Sequence, residues 1–192
     1  MTKNTRLATA VTAVTATAAT AATLLVGGLA TPADAAVVRV TDADDSPHGS
    51  DLLAVRIADG PRRLLVTTTH DNLRRSPSSG SAGTVFVDTD PSDPGPEFVF
   101  VGGYFEGTDY QLLHTDGFGY RTWGDPVDGP HSMRIDYRRD KVRMRMSKTA
   151  LDGAEEVRIA VRVSGTRRDG TSRGLTDWLD APRRFTPWVA EG

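Results

Sequence analysis

Two acidic clusters are the residues best placed to do chemistry. Asp42, Asp44 and Asp45 crowd together near the start of the polar part of the chain. Asp88, Asp90, Asp93 and Glu97 alternate through a second run, Val87-Asp88-Thr89-Asp90-Pro91-Ser92-Asp93-Pro94-Gly95-Pro96-Glu97. Carboxylates at alternate positions of a Gly/Pro-rich loop can converge on a hard cation, and calcium takes roughly six to eight oxygen ligands. The run lacks the Gly and Glu positions of an EF-hand loop. The expectation is therefore a calcium site of another kind at Asp88, Asp90, Asp93 and Glu97, its shell completed from Asp42 to Asp45. The alternative is that these aspartates form turns and stay solvated.

Aromatic residues gather in one region. Tyr104 and Tyr110 flank Phe105 to Asp109, and Tyr120 and Trp123 follow in a Gly-rich stretch. Ring faces beside polar groups suit a small polar ligand such as a sugar. Tyr104, Tyr110, Tyr120 and Trp123 are the candidate ligand-binding residues; otherwise they fill the end of a core.

Enzyme signatures are missing from the sequence. There is no cysteine, no Gly-x-Ser-x-Gly elbow, no His-Glu-x-x-His pair and no phosphate loop. His48, His70, His114 and His131 are too dispersed for local metal-ligand spacing. No catalytic residue is assigned on this basis. A carboxylate pair such as Glu97 with Glu106 would suit glycoside hydrolysis only at a fixed separation. A dispersed hydrolase site would draw on Glu97, Glu106, Asp109 and His114.

The elements that position these residues read as strands. Val142, Met144 and Met146 alternate with Lys141, Arg143 and Arg145, and Met133, Ile135 and Tyr137 alternate with Ser132, Arg134 and Asp136. A tight turn at Arg139-Asp140 would set Tyr137 opposite Val142, Ile135 opposite Met144, Met133 opposite Met146 and Asp136 opposite Arg143. Leu53, Val55 and Ile57 should face Leu64, Val66 and Thr68 across a loop of Asp59 to Arg62, because Pro61 cannot donate to a closing pair. Val157, Ile159, Val161 and Val163 form another inward face, with Arg158 and Arg162 outward. Runs 84–89, 97–101 and 110–115 are apolar on both faces and read as central strands. Ser147 can cap one short helical turn. Trp178, Phe185 and Trp188 should pin an irregular C-terminal tail. The pattern predicts an all-β fold, an antiparallel, jelly-roll-like β-sandwich of about eight or nine strands.

The first 35 residues read as an export signal. Lys3 and Arg6 precede an uncharged run, and Ala33-Asp34-Ala35 supplies the small residues of a cleavage site. The expected organisation is a signal peptide at 1–35 and one domain at 36–192. The expected address is secreted and extracellular, without stable membrane insertion once the signal is removed. A formal net charge of −2 gives no global pull toward nucleic acid. Nearly all basic residues are Arg, with Lys only at positions 3, 141 and 148.

The order of these features carries a resemblance. Asp42-x-Asp44-Asp45 is followed by Asp51-Leu52 entering an alternating strand. Asp88-Thr89-Asp90 ends a mid-chain strand, Met146 to Leu151 precedes the strand at 157–163, and Asp177-Trp178-Leu179 follows. This resembles DOMON-like and family 9 carbohydrate-binding-like β-sandwiches, and secreted bacterial proteins of similar length. The resemblance implies a sandwich that binds a ligand, with calcium in a structural role. The expected function is a non-enzymatic binding module for an extracellular polysaccharide or another cell-envelope component. A secreted hydrolase and an envelope protein-interaction factor are the alternatives.

Overall fold

The computed structural model describes residues 35–166 and 175–192. The expected signal at 1–35 therefore lies outside the described residues, apart from Ala35. Two antiparallel sheets face one another. The first, sheet A, runs in the order β1 (Ala36–Thr41), β2 (Leu52–Gly60), β3 (Arg63–His70), β9 (Lys141–Ser147), β8 (His131–Asp136). Sheet B runs β11 (Leu175–Trp178), β10 (Glu156–Gly165), β4 (Ala82–Asp88), β5 (Phe98–Gly103), β6 (Tyr110–Thr115), β7 (Trp123–Pro126). A short β12 (Val189–Ala190) also pairs with β10. The fold is all-β and a sandwich, as expected. It contains twelve described strands rather than eight or nine, because the sequence pattern hides β7, β11 and β12 in irregular stretches.

The core forms where the alternating faces meet. Val55, Ile57, Leu64, Val66, Val142, Met144 and Met146 from sheet A pack on Val85, Val87, Phe98, Phe100, Leu112, Ile159 and Val161 from sheet B. Each is essentially fully buried. Ser147 caps the short 3-10 turn Lys148–Leu151 by accepting from the Ala150 N–H at 3.1 Å.

Three expected details differ. Met133 pairs with Met144 and Ile135 with Val142, so the β8–β9 register is two residues from the expected one. A two-residue slip preserves every face, which is why polarity could not distinguish the registers. The turn is longer because the Asp136 carboxylate accepts from the Arg138 N–H (3.2 Å) and Asp140 takes a left-handed conformation (φ 52°). In the β2–β3 hairpin, Gly60 pairs with Arg63, leaving Pro61 and Arg62 as the loop. Proline then sits where no N–H is required. A bulge between Leu52 and Ala54 brings Leu52, not Leu53, into the core.

Candidate functional site

The outer face of sheet B is apolar along one half. Phe86, Val99, Leu113 and Ala160 form a second buried cluster roofed by Phe118, Trp123, Trp178 and Phe185. Arg158 fixes the C-terminal part of this roof, its guanidinium 4.7 Å from the Phe185 ring centroid and 4.6 Å from that of Trp188. This gives the expected anchoring of the tail by its aromatic residues a specific form.

Beyond the roof, the same face is open. The register sets Arg162 opposite Thr84, Thr84 opposite Val101, and Val101 opposite Gln111. With Trp123, Thr176 and Ser164 they line a groove of about 530 Å³. Ala82 and Gly103 keep its floor low. The Arg162 guanidinium donates to Thr84 Oγ1 (3.2 Å) and lies over the rings of Phe86 and Trp178, at 5.8 and 5.7 Å. Among the described residues no carboxylate pairs with it. Burial lowers its pKa from the ordinary value. The Trp123 Nε1–H is buried without an acceptor among the described residues. The groove thus combines an indole, a guanidinium, an amide and hydroxyls over an apolar floor.

The four expected ligand-binding aromatics separate. Trp123 and Tyr110 line the groove. Tyr110, however, turns its ring inward and stacks on Phe100 (5.8 Å, 10°). Tyr104 is fully buried in the core and packs edge-on against His70 at 5.2 Å, so no ligand on the surface can touch it. Its hydroxyl end lies so close to β4 that only the missing side chain of Gly83 admits it. Tyr120 is 71% exposed but does not line the groove. The hydrolase candidates do not assemble either. Glu97 and Glu106 lie beyond opposite ends of β5, more than about 15 Å apart at the rise of a strand. That is too far for a glycosidase pair. Glu106 pairs with Arg75 (2.9 Å), His114 is exposed, and only Asp109 reaches the groove.

The acidic loop has its own structural partners. Asp88 is buried and accepts from both Nε and Nη2 of Arg158, each at 2.7 Å. Asp90 accepts from the Ser92 hydroxyl (2.7 Å) and N–H (2.8 Å), which hold its carboxyl below the usual value. Glu97 accepts from the Thr89 N–H (2.6 Å) and hydroxyl (3.0 Å), and Asp93 is exposed. Arg158, Ser92 and Thr89 engage these carboxylates separately, and although Asp88 Oδ1 is buried with no partner among the described residues, the loop's carboxylates do not converge as a set of three.

Another acidic set does converge. Asp45 follows β1, Asp51 precedes β2 and Asp177 lies in β11, with one carboxylate oxygen of each within 4.8 Å of the others. Such a set can hold a metal ion. Asp51 is fully buried; its Oδ1 accepts from the Ser46 N–H (2.8 Å), whereas Oδ2 has no partner among the described residues. Asp177 Oδ2 accepts from the Leu52 N–H (2.8 Å). Burial, reinforced by the charges of Asp177, Asp44 and Asp45, pushes Asp51 up to about 6. Asp177 and Asp42 are raised as well, burial being the main cause in each. Sequence spacing could not reveal this set, since Asp51 and Asp177 belong to different sheets and meet only where the two sheets pack together. Arg162, Gln111 and Thr176 escaped notice similarly: alternation shows which residues point outward, not which outward residues become neighbours.

No protein-family model matches the chain, and no curated protein matches it. Among the described residues, no helix is long and apolar enough to cross a membrane.

Proposed function

We propose that this protein is a secreted, non-enzymatic binding module that takes an extracellular glycan in the groove on sheet B and holds calcium at Asp45, Asp51 and Asp177. The observation that carries the reading is the groove, where Trp123 and Arg162, which has no ion pair among the described residues, stand over an apolar floor rimmed by Thr84, Gln111 and Thr176. Sugars present apolar ring faces and hydroxyls together, and this lining offers a surface to the first and donors and acceptors to the second. Calcium suits an all-carboxylate donor set. It would neutralise the crowded charge and occupy the buried lone pairs of Asp51.

The test is a binding screen of the purified full-length chain against neutral polysaccharides, with and without calcium. Saturable binding without turnover, lost in Trp123→Ala and weakened in Arg162→Ala, is expected. Polysaccharide cleavage, or equal binding by wild type and Trp123→Ala, would overturn the reading.

A further inference from the structure

The outer face of sheet A is a field of arginines. The register sets Arg39 opposite Arg56, Arg56 opposite Thr67, Thr67 opposite Arg143, and Arg143 opposite Arg134. These five residues form one row across all five strands. With neighbouring strands about 4.8 Å apart, the row is about 19 Å long. Arg145, two residues along β9, and Arg63, across the sheet on β3, stand beside it. All six arginines are exposed. Among the described residues none of them has an ion pair. The one acidic residue on the outward positions of these strands is Asp136, at the end of β8, and Arg139 engages it at 3.4 Å.

This arrangement works against the isolated sheet. Like charges directly opposite each other on neighbouring strands are destabilising. The row contains two such pairs, Arg39 with Arg56 and Arg134 with Arg143. The whole chain carries a formal charge of −2, so its charges are segregated rather than merely abundant. A straight row of cations on a flat face is complementary to a linear chain with a negative charge on each unit.

We propose that the outer face of sheet A binds a linear polyuronate, an extended glycan with one carboxylate per sugar. Each guanidinium can give a carboxylate two parallel hydrogen bonds. Other polyanions fit less well. Single-stranded nucleic acid is held on aromatic platforms, and the outward positions of these strands carry no aromatic residue. Attachment to an anionic membrane needs an apolar face to bury in lipid; here Val37, Ala58 and Leu65 make a single short row across three strands, beside the arginines. The surface lies on the opposite side of the sandwich from the groove and does not depend on the reading given to it.

The test uses the full-length chain, titrated calorimetrically with polygalacturonate in low salt. Chelator is present throughout, so that no divalent cation bridges protein and polymer. Saturable binding that weakens steeply with added salt is expected. Arg56→Glu with Arg143→Glu should bind at least tenfold more weakly, and Arg56→Gln with Arg143→Gln should lose affinity in the same direction. Arg121→Glu with Arg183→Glu, an equal charge change elsewhere, and Trp123→Ala should bind as wild type does. Melting curves establish that each variant is folded. The proposal is overturned by absence of binding, by undiminished binding in the folded Glu variant, or by tighter binding to single-stranded DNA or phosphatidylglycerol vesicles. Loss of neutral-glycan binding in Trp123→Ala, with polygalacturonate binding intact, would separate the two surfaces.

Discussion

Lys148 Nζ lies 2.8 Å from Asp59 Oδ1 and 2.9 Å from Oδ2, and the same ammonium donates to the Ala154 carbonyl at 2.6 Å. Asp59 is the penultimate residue of β2, and Lys148 opens the turn that Ser147 caps, so the pair ties a sheet A hairpin to the connection between the sheets. Burial raises the Asp59 carboxyl while Lys148 opposes the shift. Lys148→Met would leave a fully buried carboxylate without its cation. Loss of one partner from a buried pair costs about 3–5 kcal/mol. Chemical denaturation of Lys148→Met should report a loss of that order, with Asp59→Leu/Lys148→Met recovering much of it. A Lys148→Met variant as stable as wild type would show the pair to be dispensable.

His70 makes stability depend on pH. Its Nδ1–H donates to the Ser50 carbonyl (2.9 Å), so Nε2 accepts from the Thr68 hydroxyl (2.7 Å). The Tyr104 hydroxyl lies beside Thr68, and burial raises the phenol above its ordinary value. Burial lowers the imidazole from 6.5 to about 4. The unfolded chain therefore takes a proton at a pH where the folded protein refuses it. This contribution is fully present above about pH 6.5 and is lost as pH falls toward about 4, amounting to about 3 kcal/mol. Asp51, raised to about 6, acts in the opposite sense over much of the same range. Comparison with His70→Gln isolates the histidine: wild type should lose more stability than the variant between pH 7 and pH 4. Parallel stability profiles would refute the assignment.

The fold was legible because alternation is a local signal. Met144 against Arg145, and Ile159 against Arg158, each declare a face within their own strand. What stayed hidden required pairing. Nothing near Arg39 indicates that Arg56 stands opposite it, and a two-residue slip in β8 exchanges Asp136 for Arg134 opposite Arg143 without changing either face. The acidic residues divide similarly. The spacing of Asp88 and Asp90 suggested a cation site, but Arg158 and Ser92 engage them. Asp51 and Asp177, far apart in sequence, are brought together where the start of β2 packs against β11 and the Leu52 N–H donates to Asp177.

The acidic triad leads to a prediction in two parts. Calcium at a hundredfold excess over its dissociation constant should stabilise the fold by about 2.7 kcal/mol, raising the melting temperature by roughly 5–10 °C for a chain of this size. Asp51→Asn and Asp177→Asn should abolish the increase, and Asp90→Asn should retain it. In chelator, Asp51→Asn should melt no lower than wild type, because the substitution removes a buried, crowded charge. A melting temperature indifferent to calcium, or an increase that survives both Asp51→Asn and Asp177→Asn, would exclude the triad as the site.

The β8–β9 register can be read chemically, because the chain has no cysteine and, within one molecule, an introduced pair can bond only with itself. Arg134 and Arg143 are directly opposite. Facing residues bring their Cβ atoms to about 5 Å, and diagonal neighbours stand about 7 Å apart. A disulfide needs about 4 Å, within reach of the facing pair after a small adjustment and out of reach of the diagonal one. Arg134→Cys/Arg143→Cys should therefore close an intramolecular disulfide on mild oxidation. Asp136→Cys/Arg143→Cys should remain reduced, because Asp136 stands opposite Lys141. Peptide mapping by mass spectrometry distinguishes the two. Closure of the second pair in preference to the first would move the hairpin by two residues, place Asp136 beside Arg143, and break the arginine row at its β8 end.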